Sequence, residues 1–278
     1  MPGAPQGIPP EFLASLRRRA RTAHAPGSLV SSALRWSGFD RWTQSWWPQG
    51  IAVGAADGIP VVLVSWYSRR ENRGARVSVL RLDTLRYAHV ALVEGPNVDP
   101  VRVHAGGILW PGGRLLVADT HGGIREFELA GIARRGGRWV LPQTGMLARS
   151  EKFRYSFLGE SPDEIVAGEF ARDESGRLAR LTLSDGAVST LDIHSPGIPE
   201  MQGAVLVEGS WAISSSRGDR LGGDLWVGAR GSLEKHEAAL PPGPEDLAWW
   251  PERRQIWGAT EHPGQRWVYA VDWPPAEK

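Results

Sequence analysis

His104-Ala105-Gly106-Gly107-Ile108 is one of five stretches in which a short polar tag runs straight into an apolar strand. The others are Pro48-Gln49-Gly50-Ile51, Arg154-Tyr155-Ser156-Phe157, Met201-Gln202-Gly203-Ala204 and Pro244-Glu245-Asp246-Leu247. With Gln49, Gly106, Tyr155, Gln202 and Glu245 as equivalent positions, the intervals are 57, 49, 47 and 43 residues. A period of ~40–50 residues with several strands per repeat is the sign of a β-propeller. Such repeats set equivalent residues around one central channel, so the tags become a ring.

Between the tags the pattern is strand and turn, with Gly, Pro, Asp and Asn in the gaps. The first repeat reads as strands 51–54, 61–67, 77–83 and 87–93, and the second as 107–110, 114–119, 123–129 and 139–141. The third reads as 155–159, 164–170, 178–183 and 187–193, and the fourth as 204–207, 211–215, 224–229 and 234–239. The fifth supplies 247–250, 255–260 and 267–272 and lacks a fourth strand. An open sheet edge is a liability, and Ser28–Trp36 (S-L-V-S-S-A-L-R-W) is the segment available to cover it. The expectation is an all-β, five-bladed β-propeller over 28–278, closed by a strand from the other terminus, after an N-terminal helical extension over 1–27. Six blades, the alternative, would need a sixth tagged repeat, and none is found.

Residues 9–24 predict a short helix. Pro10 suits its first turn, and Phe12, Leu13 and Leu16 form an apolar stripe. Arg17, Arg18, Arg19 and Arg21 then read as a solvated face near its C-terminus, where cations are favoured. Pro26-Gly27 ends it.

At 278 residues the chain is near the size at which one core stops growing, which favours a single large domain. Hydrophobic residues make up 41% and charged residues 23%, as in folded soluble proteins. Net charge is +1, which calls for no nucleic-acid partner. The absence of cysteine excludes disulfides and thiolate chemistry. The N-terminus lacks a signal-peptide h-region, and no apolar run approaches the ~18 residues of a membrane span. The chain reads as cytoplasmic and monomeric, and a mature secreted form would read the same. Fourteen Trp against six Phe is unusual, and core packing between blades accounts for most of them.

Chemistry follows from antiparallel pairing, which sets the end of each second strand beside the start of the first. Those ends read Ser65-Trp66-Tyr67, Asp119-Thr120-His121, Glu169-Phe170, Ser214-Ser215-Ser216 and Thr260-Glu261-His262. Polar groups converging at the mouth of a scaffold are the usual form of a small-molecule site. The ionisable set there is His104, Asp119, His121, Glu169, Glu245, Asp246, Glu261 and His262. Glu245, at the tag position facing the channel, is the leading candidate base. His104, Asp246 and His262 are the other catalytic candidates, through shifted carboxyl and imidazole titration. Gln49 and Gln202 would position a substrate, joined by Tyr155 and Ser215. Trp47, Trp66 and Trp249 would wall it in. Glu245 or Asp246 capping blade turns, and His121 or His262 as plain loop residues, are the structural alternatives.

No cofactor is required by this reading. A divalent cation such as Ca²⁺ is the alternative, with Glu245, Asp246, Gln49 and Gln202 as its oxygen donors. Zinc through His104, His121 and His262 lacks any ligand spacing. No nucleophile elbow, Walker loop, dinucleotide fingerprint or EF-hand loop is present.

Val103–Trp110 (V-H-A-G-G-I-L-W) followed by Arg114–Leu129 (R-L-L-V-A-D-T-H-G-G-I-R-E-F-E-L) resembles the blades of lactonase, paraoxonase and strictosidine-synthase-like propellers. Pro242–Trp249 and Thr260–Asp272 share that character. The order of W-P-Q-G, V-S-W-Y, H-A-G-G-I, M-Q-G-A, P-E-D-L and T-E-H-P-G is similar to actinobacterial propeller proteins, many of them secreted, and this second resemblance implies no activity. The first implies a six-bladed ring with a central cation and hydrolase or lyase chemistry. This chain departs from it in its five repeats and in Gly106, which stands where such blades often carry an Asn ligand.

Three functions fit: an enzyme turning over a small organic molecule in the channel as hydrolase, lyase or cyclase, a carbohydrate-binding (lectin-like) propeller, and a protein-interaction scaffold. A repeat lectin tends to keep one residue type at each tag. Gln49, His104, Tyr155, Gln202 and Glu245 differ, which is what a single reactive site needs and which favours the enzyme.

Overall fold

A computed structural model describes residues 7–70, 73–149, 153–161, 164–184 and 186–275. Residues 1–6 of the expected extension and 276–278 of the expected domain lie outside them. The fold is all-β and propeller-like. Two four-stranded antiparallel sheets are built from consecutive strands: Phe157–Glu160, Ile165–Gly168, Leu178–Ser184 and Ala187–His194, then Met201–Val207, Ser210–Ser215, Gly223–Ala229 and Ser232–Leu240.

A third sheet draws on both ends of the chain. Pro244–Trp250, Gln255–Thr260 and Trp267–Asp272 pair in order, and Val30–Arg35 then adds antiparallel to Trp267–Asp272, with Val268 opposite Leu34 and Tyr269 opposite Ala33. The strand that covers the otherwise open edge therefore lies within Ser28–Trp36, as the missing fourth strand required.

The remaining sheet has 11 strands. Trp46–Ala56, Ile59–Ser68, Ala75–Arg81 and Arg86–Glu94 form one antiparallel run, and Ile108–Leu109, Arg114–Asp119 and Gly123–Glu128 form another. Arg138–Ala148 joins them: Val140, Leu141 and Pro142 run parallel to Ala91, Leu92 and Val93, while Gln143 to Ala148 pair with Gly123–Glu128. The expected outer strand at 139–141 is thus corrected. Those residues cross to the neighbouring repeat because Leu141 is buried against its core, and the pairing within the second repeat begins at Gln143.

The expected helix over 9–24 is also corrected. α1 spans Pro10–Ala14 only, and Ser15 closes it by donating its hydroxyl to the Phe12 carbonyl at 2.7 Å. So short a helix is held by packing rather than propensity, and Ile8, Phe12, Leu13 and Leu16 are all buried in the core. From Arg17 to His24 only Ala20 is buried, with exposed arginines on both sides, which suits extended chain and not a helical stripe. Arg18–Arg19 pairs with Tyr87 and Arg86, and Arg21–Thr22 pairs with Arg35 and Leu34. A second short helix, α2 (Gly38–Trp42), turns the chain from Val30–Arg35 into the first long strand.

The first strand of each repeat touches the next around one axis, and glycine sets the spacing. A methyl group on Gly50 would meet Gly107 and Ile108, one on Gly107 would meet Phe157 and Leu158, and one on Gly159 would meet the Ala204 carbonyl. One on Gly203 would meet Asp246 and Leu247. Asp246 completes the circuit by hydrogen bonding to Ile51. The inner strands are consequently packed backbone to backbone at these glycines.

Candidate functional site

A cavity of about 390 Å³ opens at the end of the axis where the tags begin. Gln49, His104, Gly106, Arg154, Ser156, Gln202 and Glu245 reach it from the tags. Tyr67, Arg69, Thr120, His121, Phe170 and Glu261 reach it from the ends of the second strands and the residues just after. Serines on second strands fix two of the tags. Ser65 Oγ donates to the Ala105 carbonyl at 2.7 Å and accepts the Gly50 N–H at 2.8 Å, and Ser214 Oγ donates to the Glu245 carbonyl at 2.9 Å.

Glu245 is the most buried acid of this cavity, 4% exposed, and among the described residues its carboxyl makes no hydrogen bond. Burial raises it well above the ordinary carboxyl range, and the charges of Glu261 and Asp246 push it the same way. Glu261 sits in different company. Gln49 Nε2 donates to its Oε2 at 3.1 Å, and His262 Nδ1 lies 3.7 Å from Oε1. Burial raises Glu261 too, but His262, Gln49, Arg69 and Arg266 all favour its charged form. Glu261 is therefore raised as well, yet it alone of the two carboxyls has a hydrogen-bond donor and cationic neighbours opposing the rise, an inequality that suits a site holding both an acid and a base.

Around them, the Tyr67 and His104 rings pack 4.3 Å apart. The Tyr67 phenol is raised by burial and by the charges of Glu261 and Glu245, and the His104 imidazole is lowered by desolvation although its outer edge stays exposed at the rim. Arg69 stacks over Trp47 at 3.8 Å. Arg69 and Arg154 supply two guanidinium groups to the wall, a fit for an anionic substituent.

The other sequence candidates lie nearby in structural roles. Trp47 is 7% exposed, donates Nε1 to the Gln44 carbonyl at 3.1 Å and meets His262 edge-on. Trp66 is fully buried among Trp36, Leu80 and Tyr87 and donates Nε1 to Ser78 Oγ at 2.7 Å, so it walls the core instead of the cavity. Trp249 packs against Trp273, and Tyr155 is buried against Phe153. Asp119 caps its own turn through the Gly122 N–H and binds Arg125, Glu169 is clamped by both ends of Arg177, and Ser215 Oγ accepts the Trp226 indole N–H at 3.0 Å. The chain did not flag Arg69, Arg154, Thr120, Ser156 and Phe170. Their signal was position alone, each standing in a tag or just past a second-strand end.

Asp246 faces the axis below the cavity. Its Oδ2 accepts the N–H groups of Ile51 at 3.2 Å and Ile108 at 3.3 Å, and its Oδ1 is buried without a hydrogen bond. Of the oxygen donors Gln49, Gln202, Glu245 and Asp246, Asp246 Oδ2 already accepts two backbone N–H groups, and the Gln49 amide nitrogen donates to Glu261 and to the Pro48 carbonyl. Among the described residues no three His, Cys, Asp or Glu side chains are grouped to hold a metal ion, and no helix is long and apolar enough to cross a membrane.

The architecture defines a propeller-type all-β protein with a polar axial cavity. No protein-family model matches the chain, and no curated protein matches its sequence. Its likeness to solved structures is one of fold. A GH43 β-xylosidase/α-arabinofuranosidase from a compost microbial metagenome, solved with xylotriose in a calcium-free form, gives a TM-score of 0.51 at 9% identity over 93% of this chain and 98% of that one. A gluconolactonase from Xanthomonas campestris gives 0.47 at 13% identity over 92% of this chain and 88% of that one. Hydrazine synthase of Kuenenia stuttgartiensis gives 0.41 at 12% identity over 77% of this chain, which spans 61% of the hydrazine synthase chain.

Proposed function

We propose that this chain is a five-bladed propeller enzyme that cleaves or rearranges a small organic molecule in the axial cavity by acid–base chemistry. The observation that carries the reading is the unequal pair Glu245 and Glu261. Glu245, without a hydrogen bond and raised by burial, holds its proton near neutral pH and serves as general acid, in place of the base expected from its position alone. Glu261, bonded to Gln49 and flanked by His262, is the better stabilised anion of the two and accepts the proton that the reaction releases.

The five blades are the four-stranded runs that begin with Trp46–Ala56, Ile108–Leu109, Phe157–Glu160, Met201–Val207 and Pro244–Trp250, the last closed by Val30–Arg35. Asymmetry supports an enzyme over a repeat lectin, since the tag residues reaching the cavity differ in charge and size from blade to blade. Arg69 and Arg154 favour a substrate with a carboxylate or similar anionic group, held while Glu245 protonates the leaving oxygen.

The test is Glu245→Gln, which keeps shape, against the unaltered chain on a panel of lactones, esters and aryl glycosides, some carrying a carboxylate. The expected loss is ~10²–10⁴-fold in turnover of the best substrate, with melting temperature unchanged or raised. Equal turnover by the two proteins would reject the assignment.

A further inference from the structure

A second cavity, about 790 Å³, lies between residues 19–22, the end of Val30–Arg35 and α2. Arg19, Arg21, Arg35 and Arg41 line it, and no acidic side chain does. Several arginines elsewhere do have carboxylate partners: Arg76 with Asp40, Arg125 with Asp119 and Glu94, Arg177 with Glu169, Arg180 with Glu164. Among the described residues none of these four has a carboxylate partner. The one acid of α2, Asp40, is fully buried and turned inward to Arg18, Arg76, Tyr87 and His89.

The strand register sharpens the anomaly. Arg21 stands directly opposite Arg35 in an antiparallel pair, where like charges are destabilising. Arg41 is fixed from the other side, with Nε donating to the Gly264 carbonyl at 3.0 Å and its guanidinium 4.7 Å above the Trp42 ring. Burial and the nearby Arg35 charge both lower Arg41. Four cations without carboxylate partners around one concavity repel one another, and a bound anion relieves that repulsion.

From this geometry we infer that the Arg19–Arg21–Arg35–Arg41 cavity binds a small organic diphosphate carrying a flat ring, of the nucleoside diphosphate kind. Guanidinium forks match phosphate oxygens in pairs. The terminal phosphate carries roughly −1.5 to −2 charge at neutral pH and the bridging one about −1, so a diphosphate offsets most of the charge of four arginines. Trp42, 59% exposed at the cavity edge, offers its indole to the ring. The volume suits a ligand of this size. A net charge of only +1 and a basic patch confined to one concavity favour a small anion over a nucleic-acid track.

The experiment is titration calorimetry and Trp fluorescence with ADP, pyrophosphate and adenosine, at low and moderate salt. ADP is expected to bind tightest, pyrophosphate more weakly and adenosine hardly at all, with affinity falling as salt rises. Arg35→Gln and Arg21→Gln, both on solvent-facing positions, are expected to weaken ADP binding about tenfold each while leaving melting unchanged or raised. Trp42→Leu is expected to reduce the advantage of ADP over pyrophosphate. Failure of ADP and pyrophosphate to saturate by ~1 mM would overturn the inference. So would equal binding by the arginine variants, or tighter binding of a short single-stranded DNA than of ADP.

Discussion

The Asp246 carboxylate accepts the backbone N–H of Ile51, a residue 195 positions away, at 3.2 Å across the axis of the fold. With Ile108 held at 3.3 Å by the same oxygen, one side chain ties the fifth repeat to the first two. Gly50, Gly107 and Gly203 occupy the corresponding tag positions, where any side chain would strike the neighbouring strand. Asp246→Ala leaves two buried N–H groups without a partner, each costing ~1–3 kcal/mol. We expect a loss of ~2–4 kcal/mol in denaturant melts, and full stability in Asp246→Asn, whose carbonyl accepts the same bonds. Burial raises Asp246 well above its ordinary value, so the acid costs stability as pH rises past the unfolded value. The Asn variant should gain on the parent chain toward alkaline pH.

Glu160 lies at the far end of an inner strand, beside a cavity of about 310 Å³ shared with Trp110 and Arg114, and accepts the Trp249 N–H. Burial pushes it up to about 8 against that hydrogen bond. A raised carboxyl favours the fold below the unfolded value near ~4.3 and weakens it as pH climbs toward the folded one. Glu160→Gln keeps the acceptor for Trp249 and removes the proton. Thermal melts of the two proteins should coincide near pH 4 and diverge by ~1–3 kcal/mol in favour of Gln at pH 8, the figure discounted because the side chain is only half-buried. Parallel melting curves across that range would refute the assignment.

Repetition was legible in the chain because it is written in local pattern. The tags, the alternating strands and the missing fourth strand are all features of neighbouring residues, and Val30–Arg35 falls where the unpaired edge required a partner. Tertiary competition was not legible. Trp66 and Tyr67 are adjacent, yet the one pairs with Ser78 in the core and the other reaches the cavity, a choice that strand parity makes and composition does not. Glu245 and Asp246 likewise alternate, so only one of the two acids faces the cavity. The arginines after Leu16 carried helix-forming propensity, and the edges of Arg86–Glu94 and Val30–Arg35 overrode it.

The close approach of the inner strands yields a paired test. A Cβ on Gly159 would stand 1.7 Å from the Ala204 carbonyl oxygen, and backbone cannot swing aside as a side chain can. Gly38, by contrast, has no atom within 4 Å of such a Cβ and no left-handed backbone to protect. Gly159→Ala should cost ~3 kcal/mol or more, beyond the usual range for overpacking by one methyl group. Gly38→Ala should fall within ~0.5 kcal/mol of the parent, as surface substitutions do. Equal melting temperatures for the two would mean that the strands are not packed through glycine.

Asp40 holds four side-chain partners at once. Arg18 Nη1 donates to it at 2.7 Å, Tyr87 Oη at 2.7 Å and Arg76 Nη2 at 3.1 Å, with His89 Nε2 at 3.0 Å. Arg266 Nη1 donates to its backbone carbonyl at 2.8 Å, which ties α2 to the loop that carries Glu261. Burial alone would raise the carboxyl, but His89, Arg76 and Tyr87 outweigh it and hold Asp40 well below the usual range. A depressed carboxyl contributes stability above its unfolded value near ~3.9 and loses it as pH falls below that. Asp40→Asn removes the charge and strands Arg76 in a buried site, so we expect a loss of ~3–5 kcal/mol at pH 7. The gap between parent and variant should narrow steadily from pH 4 downward, as protonation brings the parent to the same state. Urea melts over that range measure both quantities, and a gap that stays constant with pH would show that Asp40 acts through shape and not through its charge.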